Sequence, residues 1–346
     1  MSSIFIFGAE QDLKKFSLII TVPLVILILI LTLVYFDILS YADKPLDTEP
    51  VEHVVVVKPG QKFSSFSEKL HEKGIIKHPD KFKLFARIKG YDKNIKAGEY
   101  ILSPSMTPGK ILETIVTGKV HLLKLTIPEG YSLRHIARTV ADAGFVTETK
   151  FLESATGPNL AHSYGIEAET LEGYLFPETY YFPRNTTAEN IISTMVKMFW
   201  LVFKPEWKDQ AKTMKLSIHQ VVTLASIIEK ETGVAFERPL ISSVFHNRLK
   251  RKMRLESDPT VIYGINDFGG NLTRKHLAEP TPYNTYKIKG LPPGPIANTG
   301  IKSIEAALYP ADTRFFYFVS KKDGTHHFSS NIKDHNKAVR KYQLRK

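Results

Sequence analysis

Cysteine is absent from the 346 residues, so neither a disulfide nor a thiolate-held metal can belong to this chain. That absence fits either side of a membrane. The 12 histidines form no His-Glu-x-x-His word and no carboxylate–histidine spacing of the zinc-site kind, and His326-His327 would alternate faces in a strand. No metal and no cofactor are expected. A Gly-rich phosphate loop before a helix is missing too, as is a Gly-x-Ser-x-Gly elbow, so phosphoryl transfer and serine-hydrolase chemistry have no support. Acid is in deficit: 35 Asp and Glu stand against 47 Lys and Arg, a net charge of +12. Such a surface favours anionic surroundings, whether nucleic acid, phospholipid head groups or anionic wall polymers. An apolar content of 43% with 24% charged residues is globular, and the length allows two or three domains.

What is present begins with Phe16 to Phe36, an apolar run free of charge. It has roughly the 20 residues that a bilayer crossing needs, and Pro23 in its first turns is tolerable in lipid. A signal peptide would have a shorter apolar core and a small-residue cleavage site, and neither is there. Lys14 and Lys15 precede the run while Asp37 and Asp43 follow it. The positive-inside rule then puts residues 1–15 in the cytoplasm, 16–36 across the plasma (inner) membrane and the remainder outside. Nucleic acid drops out as a partner, because the basic bulk lies away from the cytoplasm. Residues 37–52, with Pro45, Pro50 and five acidic side chains, read as a tether without apolar periodicity.

The rest reads as an α+β protein in two parts, a small module over 53–121 and a larger domain over 122–346. An internal repeat underlies both. Pro59-Gly60 followed by Phe63, Phe66, Leu70 and Gly74-Ile-Ile76 matches Pro128-Glu-Gly130 followed by Leu133, Ile136, Val140 and Gly144-Phe-Val146. Each copy predicts strand, turn, amphipathic helix, Gly stop and a short apolar strand. Further helices are expected over 107–116, 150–160, 187–203, 303–308 and 332–342, with a linker over 204–215, a turn over 266–271 and a hairpin around Asp323-Gly324. Leu171 to Phe182 is dense in aromatics with Glu172 and Glu178, a composition found in sugar clefts and in ordinary cores alike.

Ser217 to Ile265 is the stretch the chain is organised around. Val221, Val222, Leu224, Ala225, Ile227 and Ile228 recur at helical spacing, with Lys230 on the opposite side. Glu229 falls on one margin of that stripe and Glu231 on the other, so spacing alone does not choose between them. A carboxyl at such a margin loses hydration, which raises its pKa and suits it to act as a general acid on a glycosidic bond. Gly233 ends the helix soon after, which leaves Glu231 in a more hydrated last turn. The plain alternative for either carboxyl is an ion pair with Arg238, Arg248 or Arg254.

Several uncommon words then occur in order: Leu224-Ala-Ser-Ile-Ile-Glu-Lys-Glu-Thr232, Ser243-Val-Phe-His-Asn-Arg-Leu249, Ser257-Asp-Pro-Thr-Val-Ile-Tyr-Gly264, Thr281-Pro-Tyr-Asn-Thr-Tyr286 and Gly290-Leu-Pro-Pro-Gly-Pro-Ile-Ala297. With these the chain beyond the membrane segment resembles the endolytic murein transglycosylases, the YceG-like or MltG lytic transglycosylase family. One departure is Asn298-Thr299-Gly300, which carries Thr where the family usually has Pro. The resemblance implies a LysM-like first module, peptidoglycan as substrate, association with wall synthases, and the first Glu of Glu-Lys-Glu-Thr as catalytic acid. That carries over to Glu229. Asp258, Tyr263, Tyr283 and Asn284 are the candidates for holding the acetamido groups and orienting Glu229. The expected reaction is cleavage between N-acetylmuramic acid and N-acetylglucosamine without water, closing a 1,6-anhydromuramyl end. The rival readings are a hydrolase with Asp258 or Glu172 as second carboxylate, and a non-enzymatic wall-binding anchor.

Overall fold

The structure, a computed structural model, describes residues 3–157, 160–266 and 268–344, with side chains from Thr21 onward. The chain divides into two units, Met1–Leu122 and Leu123–Lys346, each with its own apolar core. Residues 158–159 of the expected helix over 150–160, and residue 267 of the expected turn, lie outside the described residues.

The uncharged run folds into α1 (Ser3–Ala42). Its Thr21–Ala42 portion has a mean hydropathy of 2.7 and is long and apolar enough to cross a membrane. Large apolar side chains from Val22 to Phe36 stand exposed. The helix runs further than expected: residues 37–42, read as the start of a tether, are helical. Ile38 and Ala42, four apart on one face, are buried in the first unit's core. Asp37 pairs with Lys81 Nζ at 2.6 Å, and Tyr41 Oη donates to the carbonyl of His78.

The first unit continues through β1 (His53–Val57), α2 (Phe63–Glu72), α3 (Pro79–Ile88), β2 (Gly98–Leu102) and α4 (Pro108–Thr117). β1 and β2 pair antiparallel with His53 opposite Leu102, and strand alternation turns Val55, Val57, Tyr100 and Leu102 inward. α4 starts where Thr107 accepts from the Lys110 N–H and Pro108 needs no donor, and it stops at Gly118 with φ of 73°.

In the second unit β3 (Leu122–Thr126) pairs with β4 (Thr179–Pro183), and α5 (Leu133–Asp142), α6 (Glu148–Ala155) and α7 (Leu160–Ser163) lie between them in sequence. The two repeat copies share their turns: Gly60 and Gly130, then Gly74 and Gly144, all take positive φ. The short strand expected after each helix stop does not form. The N–H groups of Ile75 and Phe145 instead close back on the carbonyls of Leu70 and Val140, which ends each helix as a hydrogen-bonded turn.

α8 (Ala188–Val202) is followed by α9 (Pro205–Thr213), where a linker was expected. Trp207 and Ala211, four apart, bury its one apolar face. α10 (Ile218–Glu231) then runs through the core, capped by a reciprocal pair in which Ser217 Oγ accepts from Gln220 N–H and Gln220 Oε1 from Ser217 N–H. Every residue from Val221 to Ile228 is buried, so the helix is enclosed on all sides and not along one stripe. Thr223 and Ser226 satisfy their hydroxyls on the carbonyls of His219 and Thr223. After it come α11 (Arg238–Lys250), α12 (Asp258–Tyr263), α13 (Arg274–Ala278) and α14 (Ile301–Leu308), joined by long loops. The antiparallel hairpin β5 (Tyr317–Ser320) and β6 (His326–Ser329) and the helix α15 (Ile332–Val339) complete an α+β arrangement of helices with two-stranded sheets.

Candidate active site

The loop Ala297–Gly300, just before α14, is where the distant words of the sequence meet. Gly130 N–H donates to the Asn298 carbonyl at 2.8 Å and Asn298 N–H to the Tyr131 carbonyl at 2.7 Å, which lays the turn after β3 along this loop. The Asn298 side chain is wholly buried. Its Oδ1 accepts from Leu175 N–H at 2.8 Å, and its Nδ2 donates to the Tyr131 carbonyl and to Glu172 Oε1, both at 3.0 Å.

Glu229 projects from the last turn of α10 onto this loop with 6% of its side chain exposed. Its Oε1 accepts from Arg238 Nη2 at 3.1 Å and its Oε2 from Gly300 N–H at 3.1 Å. Arg238, the first residue of α11, is itself held by Nε on Ser303 Oγ at 3.1 Å. The Gly300 amide caps α14, so the carboxyl meets the end of a helix dipole that favours negative charge. The desolvated margin expected for Glu229 is therefore present, and a cation and an amide fill it.

Glu129 lies beside this pair. A Cβ built on Gly300 would overlap the Glu129 carboxyl, so the bare Cα of Gly300 lets that carboxyl lie close against the loop. Burial, then the charge of Glu229, raises the Glu129 pKa against the opposing pull of Arg238. Glu172 is enclosed more completely. Both of its oxygens take the Leu133 N–H at 3.1 Å, Tyr263 Oη donates to Oε2 at 3.1 Å, and burial still pushes the carboxyl up to about 7.

Glu231 departs from expectation. It sits two residues beyond Glu229, roughly 200° around the helix, and it is enclosed instead of hydrated. The loop before α12 closes over it, Ser257 Oγ donates to its Oε1 at 2.5 Å, and burial pushes it up to about 7, with the charge of Asp258 adding to the rise. Gly233 ends the helix, but the returning chain covers the carboxyl and leaves the residue only partly exposed.

Of the residues expected to bind substrate, Tyr263 and Tyr283 stand together beside Glu172, ring centroids 4.8 Å apart. Asp258 is exposed and accepts from Tyr286 Oη at 2.7 Å on the Glu231 side of α10. Asn284 is wholly buried and spends its amide inside its own loop. Its Nδ2 donates to the carbonyls of Leu277 and Glu279 at 3.2 and 2.6 Å, and its Oδ1 accepts from Tyr286 N–H at 3.0 Å. That leaves the Asn284 side chain bracing the loop and not lining the cleft. Sequence reasoning missed Glu129 altogether. Its signal was a mismatch in the turn of the repeat copies, a Glu directly before the turn glycine where the first copy has Pro59.

A family profile described as YceG-like matches residues 55–341. The endolytic murein transglycosylase of Bacillus subtilis (strain 168) is 36% identical over 300 residues, covering 82% of this chain and 82% of its own length. The protein of the same name from Streptococcus pneumoniae serotype 2 is 31% identical over 331 residues, covering 85% of this chain and 59% of that longer protein. A crystal structure of a YceG-like protein from Listeria monocytogenes, 36% identical, superposes with a TM-score of 0.58 over 84% of this chain and all of its own. The chain therefore belongs to the YceG-like family, together with these endolytic murein transglycosylases.

Proposed function

We propose that the protein is a membrane-anchored lytic transglycosylase that cuts the β-1,4 bond between N-acetylmuramic acid and N-acetylglucosamine within peptidoglycan strands. The observation that carries this reading is Glu229, enclosed between Arg238 and the Gly300 amide at the position of the catalytic Glu implied by the family resemblance. In its simplest form one carboxyl protonates the bridging oxygen as an oxocarbenium-like state forms at the muramyl carbon. It then takes the proton of the muramyl 6-hydroxyl as that oxygen closes the 1,6-anhydro ring. The nucleophile belongs to the substrate, so proximity replaces the water of a hydrolase. The Tyr263–Tyr283 pair beside Glu172 offers apolar ring surface for a sugar. A hydrolase routed through Glu172 loses support, because that carboxyl is buried and its oxygens are already engaged.

Anchoring rests on the exposed apolar surface of α1, and the N-terminal lysines favour a cytoplasmic N-terminus. In the first unit a groove of about 610 Å³ lined by Lys58, Gln61, Lys62, Arg87 and Asp92 supports a LysM-like contact with glycan. Trimming of nascent strands and association with wall synthases follow from the same reading. Digestion of purified glycan strands with the full chain, read by mass spectrometry of the new ends, tests it. New 1,6-anhydromuramyl ends are expected; ordinary reducing ends would make the protein a hydrolase, and no new ends a binding anchor.

A further inference from the structure

We propose that Glu129 is a second catalytic carboxyl of this site, giving the proton to the departing oxygen while Glu229 receives the proton of the muramyl 6-hydroxyl. The proposal deepens the reading above and rests on it.

Three observations place the division of labour. Glu229 is the enclosed member, with one oxygen on a guanidinium and the other on a backbone amide, both donors to a carboxylate. Glu129 is the open member: it lies at the surface, and its carboxyl makes no hydrogen bond among the described residues. Its backbone is nevertheless held next to Glu229. Gly130 and Tyr131 are hydrogen-bonded to Asn298, and the carboxyl rests on the bare Cα of Gly300, the residue whose N–H holds Glu229. The two carboxyls thus share one residue as their seat.

Their charges follow from what faces them. Arg238 is the cation between the pair and is already committed to Glu229. Lys230 Nζ reaches the Gly130 carbonyl at 3.3 Å, and His135 lies against the Tyr131 ring. Two carboxylates beside one guanidinium leave one negative charge uncompensated, and such pairs retain a proton on one member. Partial desolvation of Glu129 and then the charge of Glu229 raise its pKa, while Arg238 is spent on Glu229, so the retained proton belongs to Glu129.

The steps balance. The Glu129 proton moves to the bridging oxygen as the C1–O bond breaks, which releases an N-acetylglucosamine 4-hydroxyl and leaves Glu129 charged. The muramyl O6 bonds to C1, and its proton passes to the Glu229 carboxylate. Transfer of that proton from Glu229 to Glu129 restores the site, and no water is consumed. Between the steps the cationic sugar faces two carboxylates and one arginine.

The test uses the full chain in detergent and counts 1,6-anhydromuramyl ends as a function of pH. In the unaltered protein the rate should fall as pH rises through the raised pKa of Glu129, because its proton is needed. Glu129→Gln is isosteric and exposed, so folding should be preserved. It should cost about 100-fold or more and remove that alkaline limb. Glu129→Asp should be faster than Glu129→Gln and keep the limb. A structural role gives the opposite order, because Gln fills the Glu site and Asp does not. Glu129→Gln within tenfold of wild type, Glu129→Asp slower than Glu129→Gln, or a limb that persists in Glu129→Gln each overturns the proposal. Glu229→Gln assayed alongside separates the two readings: if it still makes anhydro ends at the wild-type rate, the role of Glu229 fails independently.

Discussion

Arg238 Nη2 and Glu229 Oε1 lie 3.1 Å apart, with 10% and 6% of their side chains exposed. A pair so enclosed is costly to break from one side, because the partner stays behind as a buried charge. Arg238→Met should therefore lower unfolding stability by about 3–5 kcal/mol in denaturant titration. Adding Glu229→Gln to that variant should recover part of the loss, since the stranded charge is removed. An unchanged midpoint for Arg238→Met would show that the ion pair does not hold the site together.

Stability should also fall with rising pH. Burial pushes Glu172 and Glu231 up to about 7 from an ordinary 4.5. Between those values the unfolded chain has lost both protons while the folded chain keeps them, so acid favours the fold and the advantage is gone above pH 7. The shift corresponds to about 3 kcal/mol for each group. Wild type should melt higher at pH 5 than at pH 8, and Glu231→Gln should narrow the gap. Equal melting at both pH values would contradict the burial of these carboxyls.

Asn284→Ala should act through the loop it braces. It leaves the carbonyls of Leu277 and Glu279 and the Tyr286 N–H without partners, at a cost of about 3 kcal/mol in a thermal or chemical melt. A variant that melts like wild type yet fails to bind glycan would put Asn284 on the substrate instead.

Topology has its own test. A reporter joined after residue 346 should be active only when exported, because Lys14 and Lys15 precede the uncharged run Phe16–Phe36 within α1. Activity of a cytoplasm-only reporter at that position would overturn both the orientation and the wall substrate.

Much of this was legible in the residues. The uncharged run, the valine strand His53–Val57, the Pro108–Gly118 bracket of α4 and the central helix all follow local rules of period and capping. What stayed hidden depends on chain returning from elsewhere. Glu231 reads as hydrated because nothing near it in sequence says that Ser257 will cover it. α9 reads as linker because only Trp207 and Ala211 mark its buried face. The pairing of Glu229 with Arg238 was one of three arginine alternatives that spacing left open, and the α11 turn decides it. Glu129 was visible only as a mismatch between repeat copies, and its meaning required Gly300 to be brought against it.

The central claim is that Glu229 carries proton transfer in a water-free cleavage, and one substitution addresses it most directly. Glu229→Gln keeps the size of the side chain and its contact with the Gly300 amide, but it can neither release nor accept a carboxyl proton. Counting 1,6-anhydromuramyl ends by mass spectrometry after glycan digestion should show a loss on the order of 10³-fold or more, with glycan binding retained. Production of those ends at near the wild-type rate would contradict the account.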